Sequence, residues 1–188
     1  MGVASMSLRH FRYFATAAVA ALITGCYSTM TYSPLTGSPC RGRGGDVPGC
    51  LVGALKTEPY HNSSLLVKAP QPAGEIDNQW ITLGLSVPGS AAGRRITGVE
   101  VCYEINAPPP DTAYIAQTRL TDMTTPKVAT VILDDATRRT AGGPTCYKTI
   151  GTGTIAQFTA KGTVNLELRV VLSNTRDELY LGMVRLYF

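Results

Sequence analysis

The chain is poor in the residues that carry most enzyme chemistry. Of 188 residues two are His, one is Trp, and charged residues make up only 16%. No Ser sits in a GxSxG elbow, so a His-assisted serine nucleophile has no support. There is no CxxC spacing for a zinc or dithiol site. Gly151-Thr152-Gly153-Thr154 lacks the GxGxxG or Walker pattern and any following helix, so it reads as turn glycines. Charge of one sign is also scarce. Seventeen basic residues against thirteen acidic ones leave +4, too little to imply nucleic acid as a partner. No window repeats at 3.6 residues, which excludes a helical bundle. What the chain does have is 44% hydrophobic residues at low net charge, which excludes a wholly disordered chain. Its 19 Gly and 12 Pro announce many turns.

The N-terminus has three parts. Arg9 and Arg12 form a basic region, and Met6 offers a second start that would tighten it. Ala15 to Gly25 is uncharged and Ala-rich. Eleven residues rise only about 17 Å as a helix, roughly half a hydrocarbon core, so this is a signal segment and not a span. It ends in Ile23-Thr24-Gly25-Cys26. That tetrapeptide resembles the lipobox of bacterial lipoproteins: an aliphatic residue, two small residues, then Cys. The resemblance covers residues 1–26 only. It implies that the Cys26 Sγ takes a diacylglyceryl group and that cleavage falls between Gly25 and Cys26. Two acyl chains, at roughly 0.8 kcal/mol per buried CH₂, suffice for stable anchoring. The membrane is then the first partner expected. Tyr27 is not Asp, which in lipoproteins of two-membrane bacteria is compatible with transport to the outer membrane. Cleavage after Ala18-Val19-Ala20, or use of Cys26 in a disulfide, are the competing readings.

Cysteine parity favours lipidation. Five cysteines would leave an exported protein with an odd thiol, whereas removing Cys26 leaves Cys40, Cys50, Cys102 and Cys146. Three pairings are possible, and Cys40–Cys50 with Cys102–Cys146 is favoured. The first would staple a Gly-rich loop for about 2.8 kcal/mol, the second a 45-residue loop for about 4.

Residues 26–63, after a signal peptide of residues 1–25, are rich in Ser, Thr, Gly and Pro and read as a tether. From Ser64 to Phe188 the pattern becomes period two. Ile81, Leu83, Leu85 and Val87 alternate with polar neighbours, as do Val99, Val101, Tyr103 and Ile105, and Val164, Leu166, Leu168 and Val170. Weaker strands are expected at Leu65–Lys68, Tyr114–Leu120, Ala129–Asp134 and Thr145–Ile150. Leu179 to Phe188 is apolar on both faces apart from Arg185, as a central or well-covered strand would be. Asp135–Arg139 is expected to form one helical turn. The fold class is therefore all-β, an antiparallel β-sandwich of about seven or eight strands, immunoglobulin-like or jelly-roll. A small outer-membrane β-barrel is the rival, but several strands are too short and aromatics are few.

Candidate sites are sparse. With His10 lost in the signal, His61 is the only imidazole, and it lies in tether-like sequence. Adjacent carboxylates Asp134 and Asp135 would point to opposite faces of a strand. Asp111, Asp122 and Asp134 fall near loop ends and would need to gather at one pole to hold Ca²⁺, without a recognisable calcium loop. Trp80 opens a strand on the face it shares with Thr82 and Ser86, expected to be the outer one, where it could stack on a sugar or fill a protein hot spot. Arg94 and Arg95, with Arg138, Arg139, Arg41 and Arg43, fall in turns or the stapled loop and could meet an anionic envelope polymer. No catalytic residue, metal site or cofactor is expected. The functional expectation is a lipid-anchored envelope protein carrying a binding, adhesion or structural module, its partner an envelope polymer or a protein. An envelope hydrolase using carboxylates is the alternative.

Overall fold

The computed structural model describes residues 29–39, 55–61, 63–69, 79–87, 95–108, 113–125, 128–150 and 158–188. Cys26, Cys40, Cys50, Arg41, Arg43, Arg94, Asp111 and Gly151 to Thr154 lie outside them. The described residues form an antiparallel β-sandwich. Its strands are β1 (Thr29–Tyr32), β2 (Ser38–Pro39), β3 (Lys56–Tyr60), β4 (Ser64–Lys68), β5 (Gln79–Leu85), β6 (Arg95–Ile96), β7 (Gly98–Asn106), β8 (Ala113–Thr125), β9 (Val128–Asp135), β10 (Thr145–Ile150), β11 (Phe158–Thr159), β12 (Thr163–Leu172) and β13 (Glu178–Tyr187). One sheet runs β10-β7-β13-β4-β3, with β1 added against β13, and the other runs β2-β5-β12-β8-β9. β6 and β11 make a separate two-stranded piece.

All eight strands expected from the alternation are present: β4, β5, β7, β8, β9, β10, β12 and β13. Their pairings are nested. β8 pairs β9, β7 pairs β10, β5 pairs β12 and β4 pairs β13. Successive rungs of this long antiparallel ribbon fall alternately in the two sheets, which is a jelly-roll winding. Of the two sandwich types expected, this is the one adopted.

Alternation decides which face is buried. Ile81, Leu83 and Leu85 of β5 and Val164, Leu166, Leu168 and Val170 of β12 face Val99, Val101, Tyr103 and Ile105 of β7 and Leu179, Leu181, Val184 and Leu186 of β13 in one core. β13 is central, as its apolar composition predicted, lying between β7 and β4. Its two-faced apolarity has a specific cause. A bulge between Leu181 and Val184 shifts the register, so Gly182 and Met183 both leave the inward row. The space between the sheets is filled by apolar side chains, the reverse of an outer-membrane barrel, whose interior is polar.

Three features depart from the sequence reading. β1, β2 and β3 lie within the stretch read as tether, yet they join the sheets, and Leu55 is part of the core. These are short or edge strands with little alternation; β3 buries none of its residues fully. The strand count rises to thirteen among the described residues through these three and the two-residue pieces β6 and β11. The helical turn at Asp135–Arg139 does not form. Arg139 instead exchanges both backbone hydrogen bonds with Ile115, and Asp135 Oδ1 accepts from the Thr137 N–H.

Polar clamps close the sandwich. Thr118 of β8 and Tyr147 of β10 hydrogen-bond across the sheets at 2.6 Å, and the Thr149 hydroxyl donates to Asp135 at 2.7 Å. Arg139 pairs with Asp135 and lies over the Tyr147 ring. Burial pushes the Tyr147 phenol up. Asp122, fully buried, accepts from the Lys161 and Gly162 N–H groups and so ties the turn before β12 to β8.

Candidate functional site

The outer faces of the two sheets differ. On the five-stranded sheet Trp80 stands on the outward row with Thr82, half-buried. The Arg119 guanidinium lies over its ring, 4.8 Å from the centroid, and also pairs with Asp134 at 3.2 Å. Gln117 donates to Asp134, and Thr121 donates to Glu167. Trp80 is thus engaged by its own sheet. Arg95 is exposed on β6, away from that row in the strand order, and exchanges no sheet pairing with β5. The structure does not gather Trp80 and Arg95 into one site.

Asp122 and Asp134 do not converge either: the first is buried against a turn and the second is on the outer face. Asp134 and Asp135 point to opposite sides, as their adjacency required. No cluster of three His, Cys, Asp or Glu suited to a metal occurs among the described residues.

The six-stranded sheet carries the concave feature. Its outward row on β7 is Glu100, Cys102, Glu104 and Asn106; on β13 it is Glu178, Tyr180, Gly182 and Arg185. At one end charges are used up internally. Glu100 accepts from Arg185 and from the Tyr187 hydroxyl, and Lys148 lies over the Tyr187 ring. Towards the other end the face sinks into two adjoining cavities of about 410 and 260 Å³. Ser64, Glu104 and Tyr180 line both. They form one groove.

The groove follows from local structure. Cys102 and Cys146 are direct cross-strand partners on β7 and β10, and their disulfide forms part of the lining. Gly182 at the β13 bulge leaves a gap where a side chain would stand; the three atoms nearest to a Cβ there belong to Cys102, at 3.4 Å or more. Gly142 and Pro144 contribute a wall from the β9–β10 connection. Tyr60 comes from the β3–β4 hairpin, which turns on His61 at a positive φ of 46°. The Tyr60 and Tyr180 rings meet edge to face at 4.8 Å, a favourable arrangement for aromatic pairs. His61 contacts Tyr60 edge-on at 4.2 Å.

The electrostatics are one-sided. Glu178 accepts from Tyr180 at 2.5 Å and from Asn106, and pairs with Lys68. The Tyr180 hydrogen bond, despite some burial, holds the Glu178 carboxyl below the usual range. In return Glu178, then burial, and the nearby charges of Tyr60 and Glu104 push the Tyr180 phenol up. Lys68 is raised by its bonds to Glu58 and Glu178. Glu104 has no ion pair or side-chain hydrogen bond among the described residues and is the one charged side chain lining either cavity. Sequence reasoning missed this site. The break in alternation at Gly182-Met183 was its one local signal.

No family model and no curated protein matches the chain. Three solved structures resemble the chain distantly. The C-terminal family 22 carbohydrate-binding module of Clostridium thermocellum Xyn10B is 9% identical over 88% of each chain, with a TM-score of 0.38. The CBM22-1–GH10 modules of the C. thermocellum endo-1,4-β-D-xylanase 10B, complexed with xylohexaose, are 12% identical over 66% of this chain, with a TM-score of 0.34. The present chain spans 22% of that protein's length. The accessory secretory protein 1, 2 and 3 structure from Streptococcus pneumoniae is 14% identical over 77% of this chain and 92% of that one, at 0.35. None of the three likenesses reaches a TM-score of 0.5.

Proposed function

We propose that the chain is an exported protein, anchored in a membrane through a diacylglyceryl group on Cys26, whose sandwich is a non-catalytic binding module for an envelope polymer or protein. In a two-membrane bacterium the anchor would lie in the outer membrane. Support for the anchor is the Ile23-Thr24-Gly25-Cys26 sequence and the even number of remaining cysteines. The bonded Cys102–Cys146 pair agrees with an oxidising compartment.

The observation that carries the binding role is the groove on the six-stranded sheet, with exposed Tyr60 on its rim and, within it, the Glu104 carboxylate, unpaired among the described residues. It rests on central strands held by the core and a disulfide, so its shape is preorganised. A carboxylate hydrolase works with a pair of acids, and Glu104 is the one carboxylate that lines the groove among the described residues. That favours binding over the hydrolase alternative.

Co-sedimentation with isolated envelope polymer tests this. The wild-type protein should pellet with the polymer, while Gly182→Trp, which fills the groove from its floor, should remain in the supernatant. Equal pelleting of both would remove the groove from the binding role.

A further inference from the structure

Among the features outside this groove, the Trp80–Arg119–Asp134 row is internally satisfied, and the buried Asp122 is used by a turn. The exposed residues Val128 and Val131 of edge strand β9 and Met123 of β8 have nothing on the molecule to say what covers them. The groove itself goes further.

We propose, building on the groove as a binding site, that it recognises a primary ammonium group, seated between the Glu104 carboxylate and the Tyr60–Tyr180 ring pair. Three observations converge on this. Among the described residues no basic side chain lines either cavity, and the nearest cation along β4, Lys68, is committed to Glu58 and Glu178. Glu104 stands directly opposite Tyr180 in the β7–β13 register, so a carboxylate and a phenol ring are neighbours on the outer face. The remaining lining groups, Ser64, Asn106 and Thr145, are small and neutral and suit the flanks of a cation's chain. A cation near aromatic faces gains from their quadrupole, and a carboxylate without a partner gains most from a charged donor. An anion would meet unopposed negative charge. A neutral sugar would leave Glu104 unmatched.

Such a group can come from a lysine side chain or from a deacetylated amino sugar, and the probes separate the two. Amide chemical shifts of the full chain, held in a nonionic polyoxyethylene detergent, would be followed during titration. The probes are a capped lysine peptide, glucosamine, a capped norleucine peptide and N-acetylglucosamine. One or both ammonium probes should shift Glu104, Tyr180 and Gly182 at millimolar concentration, and the uncharged counterparts should not. Whichever ammonium probe binds more tightly identifies the source. Glu104→Gln should weaken binding about tenfold, and Tyr60→Leu, a change at an exposed edge, several-fold. Unchanged dispersion of the remaining amides shows that each variant is folded.

Shifts in the same residues from N-acetylglucosamine or norleucine, equal to those of their charged partners, would overturn the ammonium assignment while leaving the groove a binding site. Silence from all four probes would also overturn it. If Gly182→Trp co-sedimented like wild type as well, the groove reading would fall with it.

Discussion

Removing the Cys102–Cys146 bridge is the perturbation whose cost can be worked most directly. The two residues are 44 positions apart in sequence and oppose each other on the β7–β10 rung. That rung encloses the innermost hairpin of the ribbon, β8–β9, and the connection carrying Arg139. Closing a 45-residue loop in the unfolded chain accounts for about 4 kcal/mol in the chain-entropy picture. The native state loses little in return, because Cys146 is exposed and the β7–β10 backbone pairs continue on both sides. A Cys102→Ala/Cys146→Ala variant should therefore unfold at lower urea by more than about 1 M, taking an m-value of 1–3 kcal/mol per M. Its Tm should fall by roughly 8–16 °C. The double variant is preferable to reductant, which would also open any Cys40–Cys50 bridge. Urea titrations followed by far-UV circular dichroism give the comparison at equal protein concentration. A loss below about 1 kcal/mol with an unchanged m-value would refute the loop argument and place the bridge's importance in shaping the groove alone.

Two further tests address the fold. A Cβ on Gly162 would stand 2.1 Å from the Met123 carbonyl oxygen, which is backbone and cannot swing aside, whereas Gly143 has nothing within 4 Å. Gly162→Ala should cost about 1–3 kcal/mol and Gly143→Ala less than about 0.5; equal losses in denaturant titrations would contradict the close approach at β8. Burial pushes the Asp135 carboxyl up, but hydrogen bonds from Thr137, Thr149 and Arg139 outweigh it and leave it below its ordinary 3.8. The stability it contributes is present above that value and disappears as pH falls through the lowered pKa. Asp135→Asn should be less stable than wild type at neutral pH, with the gap narrowing in strong acid. A gap that stays constant across that range would count against the clamp.

Much of the fold was legible because burial on one face writes a period of two into the chain. β5, β7 and β12 announce themselves through Ile81-Leu83-Leu85, Val99-Val101-Tyr103-Ile105 and Val164-Leu166-Leu168-Val170, all buried as the alternation requires. β3 was illegible for the same reason in reverse. As an edge strand it exposes Lys56, Glu58, Pro59 and Tyr60, so no alternation marks it. Strand order was hidden because a period-two pattern says which face is inward and nothing about which strand is beside it. The groove depends on that missing information. Tyr60 and Tyr180 are 120 positions apart, and only the β3-β4-β13-β7 order brings them together beside Glu104. Trp80 drew attention as the single indole, yet the structure pairs it with Arg119, whose arrival from β8 no local pattern foretells.

The most direct test of the account is mass spectrometry of the protein extracted from membranes. The account predicts an N-terminal peptide that begins at Cys26 and carries a diacylglyceryl thioether on its sulfur. A peptide retaining Gly25 before an unmodified Cys26, or a Cys26 found in a disulfide, would contradict it.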